Sequence, residues 1–326
     1  MTSSRWPRVL VLFLLAPFVG EFLLGNQPVT SLPWLLALAP MYGGGALLVR
    51  ETGRRLGGGW PVLVLLAAAY ALVEEGPIDQ MLFNPAYLGL SSFADLAPIP
   101  GLGISANLVQ GSLTLHTVWS ICVPIALVEG FDREPDRPWF GRTGLIGTAL
   151  VFVLGSTALA LMQYDRYRFV ASPAQFGVVG AAIVLLVATA VVVARRPARG
   201  VPAGPPAPSP TRTGIAAFGF ASGYWLVDSV LTWLIGPWPL IAVWAASAAT
   251  AAVLLLRCSH RPGWGRTHRL AVAGGLLTTY IWYGAVHSAS LGVPLVLGLA
   301  GAVGCGVVAV VLLLAAIRAN RRITAA

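Results

Sequence analysis

Apolar stretches of about 20 residues recur along the whole of this 326-residue chain, and no other feature limits its fold as strongly. At about 1.5 Å of rise per helical residue, each is long enough to cross the roughly 30 Å hydrocarbon core of a bilayer. In hydrocarbon every backbone N–H and C=O must be satisfied within the protein, as a helix does. The expected fold is therefore all-α, a polytopic transmembrane helix bundle. Composition agrees: 57% of residues are hydrophobic and only 10% charged, with a mean hydropathy of +0.78, whereas a soluble domain carries about 25% charged residues.

Ten spans are expected, over residues 9–24, 32–49, 60–83, 107–131, 143–162, 174–194, 214–235, 240–256, 269–291 and 294–317. The first has the outline of a signal peptide. Glu21 interrupts its end and no small-residue cleavage site follows, so it reads as a retained helix. Residues 195–213, rich in Pro and Arg, read as a linker between a six-span unit (1–194) and a four-span unit (214–326). The connection 84–106 is long, apolar and almost uncharged, and is expected to fold back over the bundle. Gly43-Gly44-Gly45 in the second span allows a close helix crossing.

The net charge of +9 comes entirely from arginine, since the chain has no lysine. Placed on the ten spans, 19 of the 21 arginines fall on one side, leaving Arg166 and Arg168 on the other. That asymmetry puts both termini in the cytoplasm. The basic balance thus reports topology, not nucleic-acid binding, and the expected partner is the lipid bilayer. Trp6, Trp34, Trp60, Trp139, Trp238 and Trp264 fall at span ends, as an interfacial belt does. Cys122, Cys258 and Cys305 have no metal-site spacing and read as small core residues without a disulfide.

Against this background Tyr70-Ala-Leu-Val-Glu-Glu-Gly-Pro-Ile-Asp-Gln-Met-Leu-Phe-Asn-Pro85 stands out. It sets Glu74, Glu75 and Asp79 inside the third span, where an ionisable group costs about 2.5–3.5 kcal/mol and normally faces the bundle interior. Pro77 has no N–H, so the Val73 carbonyl loses its helical partner and a polar kink forms beside the acids. Counting helical rise places Glu75, Asp228 of the seventh span and His116 of the fourth in one layer, roughly 16–22 Å from the cytoplasmic edge. His287 and Glu21 lie nearer the outer surface. Glu21 and Glu129, at span ends, read as solvated, and His260 and His268 fall in an arginine-rich loop. Neighbouring residues differ by about 100° around a helix, so Glu74 and Glu75 are not expected to meet one partner. One is expected at His116 and the other at Tyr70 or a serine. Ala71-Leu-Val-Glu-Glu-Gly76 and Ala126-Leu-Val-Glu-Gly130 echo one another on helices of opposite direction, too briefly to define an inverted repeat.

Two acids on one span and an imidazole on the next suit a centre that activates water directly or holds a divalent metal such as zinc. The candidate catalytic residues are Glu74, Glu75 and His116, with Asp79 and Asp228 as further buried polar groups. In this pattern the chain resembles the CPBP (CAAX-prenyl and bacteriocin-processing) intramembrane proteases, which pair a Glu-Glu-x-x-x-Arg span with a Phe-x-x-x-His span and a later histidine. Glu74-Glu75 and His116 match in order; Asp79 stands where the arginine belongs and Ser112 where the phenylalanine belongs. The resemblance implies intramembrane hydrolysis, with His287 as the later histidine beside Glu75 and His116 in a metal set. The chain is also similar to bacterial multi-pass membrane proteins that share Val-Glu-Glu-Gly and Leu-Phe-Asn-Pro segments, which implies a bacterial plasma membrane and no particular activity. Kinked helices with carboxylates near the midplane equally suit a proton- or cation-coupled transporter. A scaffold whose polar cluster only fixes helix packing is the third reading.

Overall fold

The computed structural model describes residues 5–87, 97–196 and 204–325. It is all-α apart from one short hairpin, and the helices follow the apolar runs closely. Helix α1 (Trp6–Pro17) continues as a π-helical segment (Phe18–Leu23). It is followed by α2 (Trp34–Leu56) and by α3 (Gly59–Val73), which also ends in π winding (Glu74–Ile78). The hairpin β1 (Pro98–Ile99) and β2 (Ile104–Ser105) precedes α4 (Ala106–Thr114). A π segment (Leu115–Cys122) joins α4 to α5 (Val123–Glu129). Then come α6 (Arg142–Tyr167), α7 (Pro173–Ala194), α8 (Pro210–Ile235), α9 (Pro237–Ser259), α10 (Arg266–Ser290) and α11 (Leu295–Ala325). Seven of the helical stretches are long and apolar enough to cross a membrane.

Proline explains the π segments. In the third helix Pro77 supplies no N–H, and the chain widens so that the Asp79 N–H reaches the Glu74 carbonyl at 2.8 Å, one residue beyond the α-helical partner. Pro124 follows the third π segment and Pro17 precedes the first. After the acidic kink, Gln80 turns the chain with φ of 56°, and its side chain accepts from the Ala171 N–H at 2.7 Å. Helix α7 starts on a reciprocal cap between Ser172 and Gln175, each side chain bonded to the other's backbone N–H.

The three glycines of α2 each meet a different neighbour. A Cβ at Gly43 would strike the Phe13 backbone of α1, one at Gly44 would lie 3.2 Å from Phe152 of α6, and one at Gly45 would overlap the Tyr70 ring of α3. Helix α2 is therefore the axle of the first half, and its small residues bring three helices close to one centre. In the second half Trp119 donates to the Leu276 carbonyl at 2.8 Å and stacks parallel on Tyr280 at 4.5 Å, tying the π segment after α4 to α10.

One end of the bundle is closed by charge. The sequence assigns Arg50, Arg54 and Arg55 to a connecting loop, but α2 runs on to Leu56 and buries Arg50, Glu51 and Arg54. Glu129, expected to be solvated, is buried and takes Arg54 in a two-point pair, Nε to Oε1 at 2.9 Å and Nη2 to Oε2 at 2.5 Å. Arg50 donates to Glu51 at 2.6 Å and to the Pro135 and Arg137 carbonyls, and its guanidinium lies 3.5 Å from the Trp139 ring centre. Trp139 is buried here, not in a lipid belt, and its indole donates to Asp132 at 2.6 Å. Asp132 also pairs with Arg8 of α1, while Arg266 of α10 donates to the Asp132 and Arg133 carbonyls. His268, which the sequence places in a loop, is in the first turn of α10 and donates through Nε2 to the Pro208 carbonyl at 2.8 Å.

Candidate functional site

The acids of the third helix and the imidazole of the fourth meet inside the first half of the bundle. Glu74, Glu75 and His116 are each no more than 5% exposed. His116 Nε2 lies 2.8 Å from Glu75 Oε1, and Nδ1 lies 3.0 Å from Glu74 Oε2. The imidazole is thus held edge-on between two carboxylates, and consecutive glutamates do meet one partner, contrary to the helical-wheel expectation. Two features make this possible. The ring offers nitrogens on opposite sides, and the π turns in both helices change the regular 100° step on which that expectation rests.

Surrounding groups complete the shell. Ser120 Oγ is 3.2 Å from His116 Nδ1. Tyr42 of α2 packs its ring at 5.9 Å from the imidazole and donates to Glu21 at 2.5 Å. Glu21 is therefore buried beside the centre, not solvated at a span end. Its signal was available in the sequence, since an acid late in an apolar run needs a donor, and Tyr42 falls at a matching depth of the next helix. Tyr70 and Ser112 lie next to Glu74 and Glu75, yet neither hydroxyl makes an aligned hydrogen bond. Both Glu74 oxygens and Glu75 Oε2 likewise lack an aligned donor. Buried acceptors left open in this way are costly. The centre thus retains capacity for protons, water or a cation.

The other expected site residues lie apart from this triad. Asp79 is half-buried and faces away toward α6, accepting from Tyr87 at 3.1 Å, and Tyr87 in turn accepts from Gln163 at 3.0 Å. A regular helix would set Asp79 on the same face as Glu75, four residues earlier, and the one-residue π slip turns it away. His287 is half-buried and bonds Asn26 at 2.7 Å, stacking on Tyr283. Asp228 belongs to α8, and its side chain falls outside the described residues. So does much of the 84–106 connection and of the 195–213 linker.

Both imidazole nitrogens of His116 lie at hydrogen-bond distance from carboxylate oxygens. His287 has its own partner in Asn26, and among the described residues no group of three His, Cys, Asp or Glu is arranged to hold a metal.

The molecule is an all-α bundle that has, among the described residues, seven helices long and apolar enough to cross a membrane and buried glutamate–histidine pairs, a make-up compatible with a membrane protein. No family model, no curated protein and no solved structure matches the chain.

Proposed function

We propose that this is a ten-span protein of the bacterial plasma membrane, with both termini in the cytoplasm, and that its Glu74–His116–Glu75 centre binds and releases protons in a coupled transport cycle. The observation that carries the reading is the imidazole clamped between two buried carboxylates whose remaining oxygens have no aligned donor. With both acids ionised and the ring neutral, the triad would hold two negative charges in a low-dielectric interior. Charge balance then requires two protons, or a cation in their place. Such a group changes its occupancy whenever it is exposed to water, which is the working step of a proton- or cation-coupled carrier.

The layer of Arg50, Glu51, Arg54, Glu129, Asp132 and Trp139 supports the same reading, because it seals one end of the bundle below the centre. Toward the opposite end the polar groups continue, through Glu21–Tyr42 on one side and Asp79–Tyr87–Gln163 on the other. An arrangement closed at one end and polar toward the other is one half of an alternating-access cycle.

The test is an infrared pH titration of the protein in lipid nanodiscs. A protonated-carboxyl band is expected to appear and vanish with pH in the wild type and to lose intensity in both Glu74→Gln and Glu75→Gln. Identical difference spectra in wild type and both variants would end the proposal.

Hydrolysis remains the second reading, favoured by one observation. Glu75 Oε2 is buried without a donor while Oε1 is fixed by His116, so a water placed there would meet an oriented general base. In that case Asp79→Asn leaves function intact. A proton carrier loses rate with that change, since the Asp79–Tyr87–Gln163 chain continues the polar groups outward.

A further inference from the structure

A cavity of about 280 Å³ lies between α4, α8 and α9, separate from the Glu74–His116–Glu75 centre. For comparison, a 150 Å³ apolar cavity in a soluble protein holds benzene. Its floor is made by Gly219 and Gly223, one helical turn apart on α8, and a Cβ built on either meets no atom within 4 Å. Gly219 is exposed, so the cavity opens to the outside along this stretch. It extends along α8 from Gly219 to Val227, a rise of about 12 Å. Its volume and that length suit one slender ligand lying along the helix.

The lining chemistry narrows the occupant further. No charged residue borders the cavity among the described residues, so a phosphate or carboxylate head has no counter-charge there. Polar groups are concentrated on one stretch of wall. Gln110, 3% exposed, accepts from the Tyr224 hydroxyl at 2.8 Å and donates weakly to Asn107 at 3.4 Å. Among the described residues its amide keeps a second lone pair on Oε1 and a second N–H. The Trp244 indole is already committed to Thr114 at 3.0 Å. Phe220 and Val243 border the opening and are exposed on the outer surface of the bundle, so entry is from the apolar surroundings.

We infer that this cavity binds a free amphiphile, a single hydrocarbon chain of about ten carbons ending in a neutral hydroxyl or amide that hydrogen-bonds Gln110 and Tyr224. The chain lies over Gly219 and Gly223, and the head replaces the hydrogen bonding that the Gln110 amide lacks.

Trp244 in the wall provides the readout. With full-length protein in nanodiscs, 10-bromo-1-decanol is expected to quench part of the tryptophan fluorescence saturably, and Trp244→Phe is expected to remove that saturable part. Gly223→Leu fills the floor and is expected to abolish saturation; Gly219→Val serves the same purpose if the leucine variant does not fold. Gln110→Leu is expected to weaken binding roughly fivefold to tenfold, the loss of one or two neutral hydrogen bonds. Bromodecane, which has no head, is expected to bind with a similar deficit to wild type and with none to Gln110→Leu. Quenching that rises linearly with added bromodecanol, equal in wild type and the filled variants, overturns the proposal. Equal affinity for bromodecanol and bromodecane overturns it too, because a lipid tail threading the cavity makes no use of Gln110.

Discussion

Removing one partner of the Arg54–Glu129 pair gives the most direct measure of what closes the bundle. The pair is two-pointed and buried, with side chains 3% and 5% exposed, and each partner has a second contact. Arg50 Nε lies 3.2 Å from Glu129, and Arg54 Nη1 lies 2.9 Å from Asp136. Breaking a buried pair costs about 3–5 kcal/mol, because the survivor is left charged and unpaired. The second contacts set the order. After Arg54→Met, Glu129 still faces Arg50, so the cost should fall near about 3 kcal/mol. After Glu129→Leu, two guanidinium groups confront one another without their shared anion, and the cost should approach about 5 kcal/mol. The double variant removes both charges and should cost well under the sum, with a coupling of about 2–3 kcal/mol. Reversible unfolding in mixed SDS and dodecylmaltoside micelles, followed by circular dichroism, supplies the three values. Additivity within about 0.5 kcal/mol, or single costs below about 1 kcal/mol, would show a solvated pair and refute the sealed-layer argument.

Other outcomes follow from single contacts. Gly45→Val is expected to destabilise by about 1–3 kcal/mol, since its side chain meets the Tyr70 ring, and Tyr70→Leu on that background should recover part of the loss in the same unfolding assay. Trp139→Leu removes the indole bond to Asp132 and the face under Arg50. It should cost about 2–4 kcal/mol and loosen the backbone around the exposed Arg133 and Arg137 enough for limited trypsin digestion. Pro77→Ala restores an N–H and lets the third helix wind as a regular α-helix; the carboxyl infrared signal of the centre is expected to shift, and an unchanged spectrum would show that the π turn does not position Glu75. His287→Ala loses the Asn26 bond and the stacking on Tyr283 and should cost about 1–2 kcal/mol without altering that signal.

The helices were legible because continuous apolar runs are a strong signal, although α2 runs on to Leu56 and α11 to Ala325, well past the expected span ends. The meeting of Glu75 with His116 was legible for the same reason: an acid and an imidazole at one depth on consecutive spans have few other partners. The clamping of His116 by both glutamates was not, since a regular helical wheel forbids it and the π turns that permit it are announced only indirectly, by Pro77 and Pro124. The charged layer was hidden differently. Arg50, Glu51, Arg54 and Arg55 read as a loop because a cluster of four charges usually ends a span, yet their spacing also fits one continuous helix face, and the matching acids Glu129 and Asp132 lie 75 to 82 residues away. Long-range pairing of that kind leaves no local trace.

The segment from Gly130 to Gly141 gathers contacts from the first, second and tenth helices at once: Arg8 reaches Asp132, Arg50 takes the Pro135 and Arg137 carbonyls, and Arg266 takes those of Asp132 and Arg133. During synthesis the early partners are present long before α10 emerges, so this segment stays half-tied until the distal helix arrives. It is placed to act as the buckle of assembly, fastened only when a nearly complete chain has entered the bilayer, and truncation before residue 266 should leave it open to proteases.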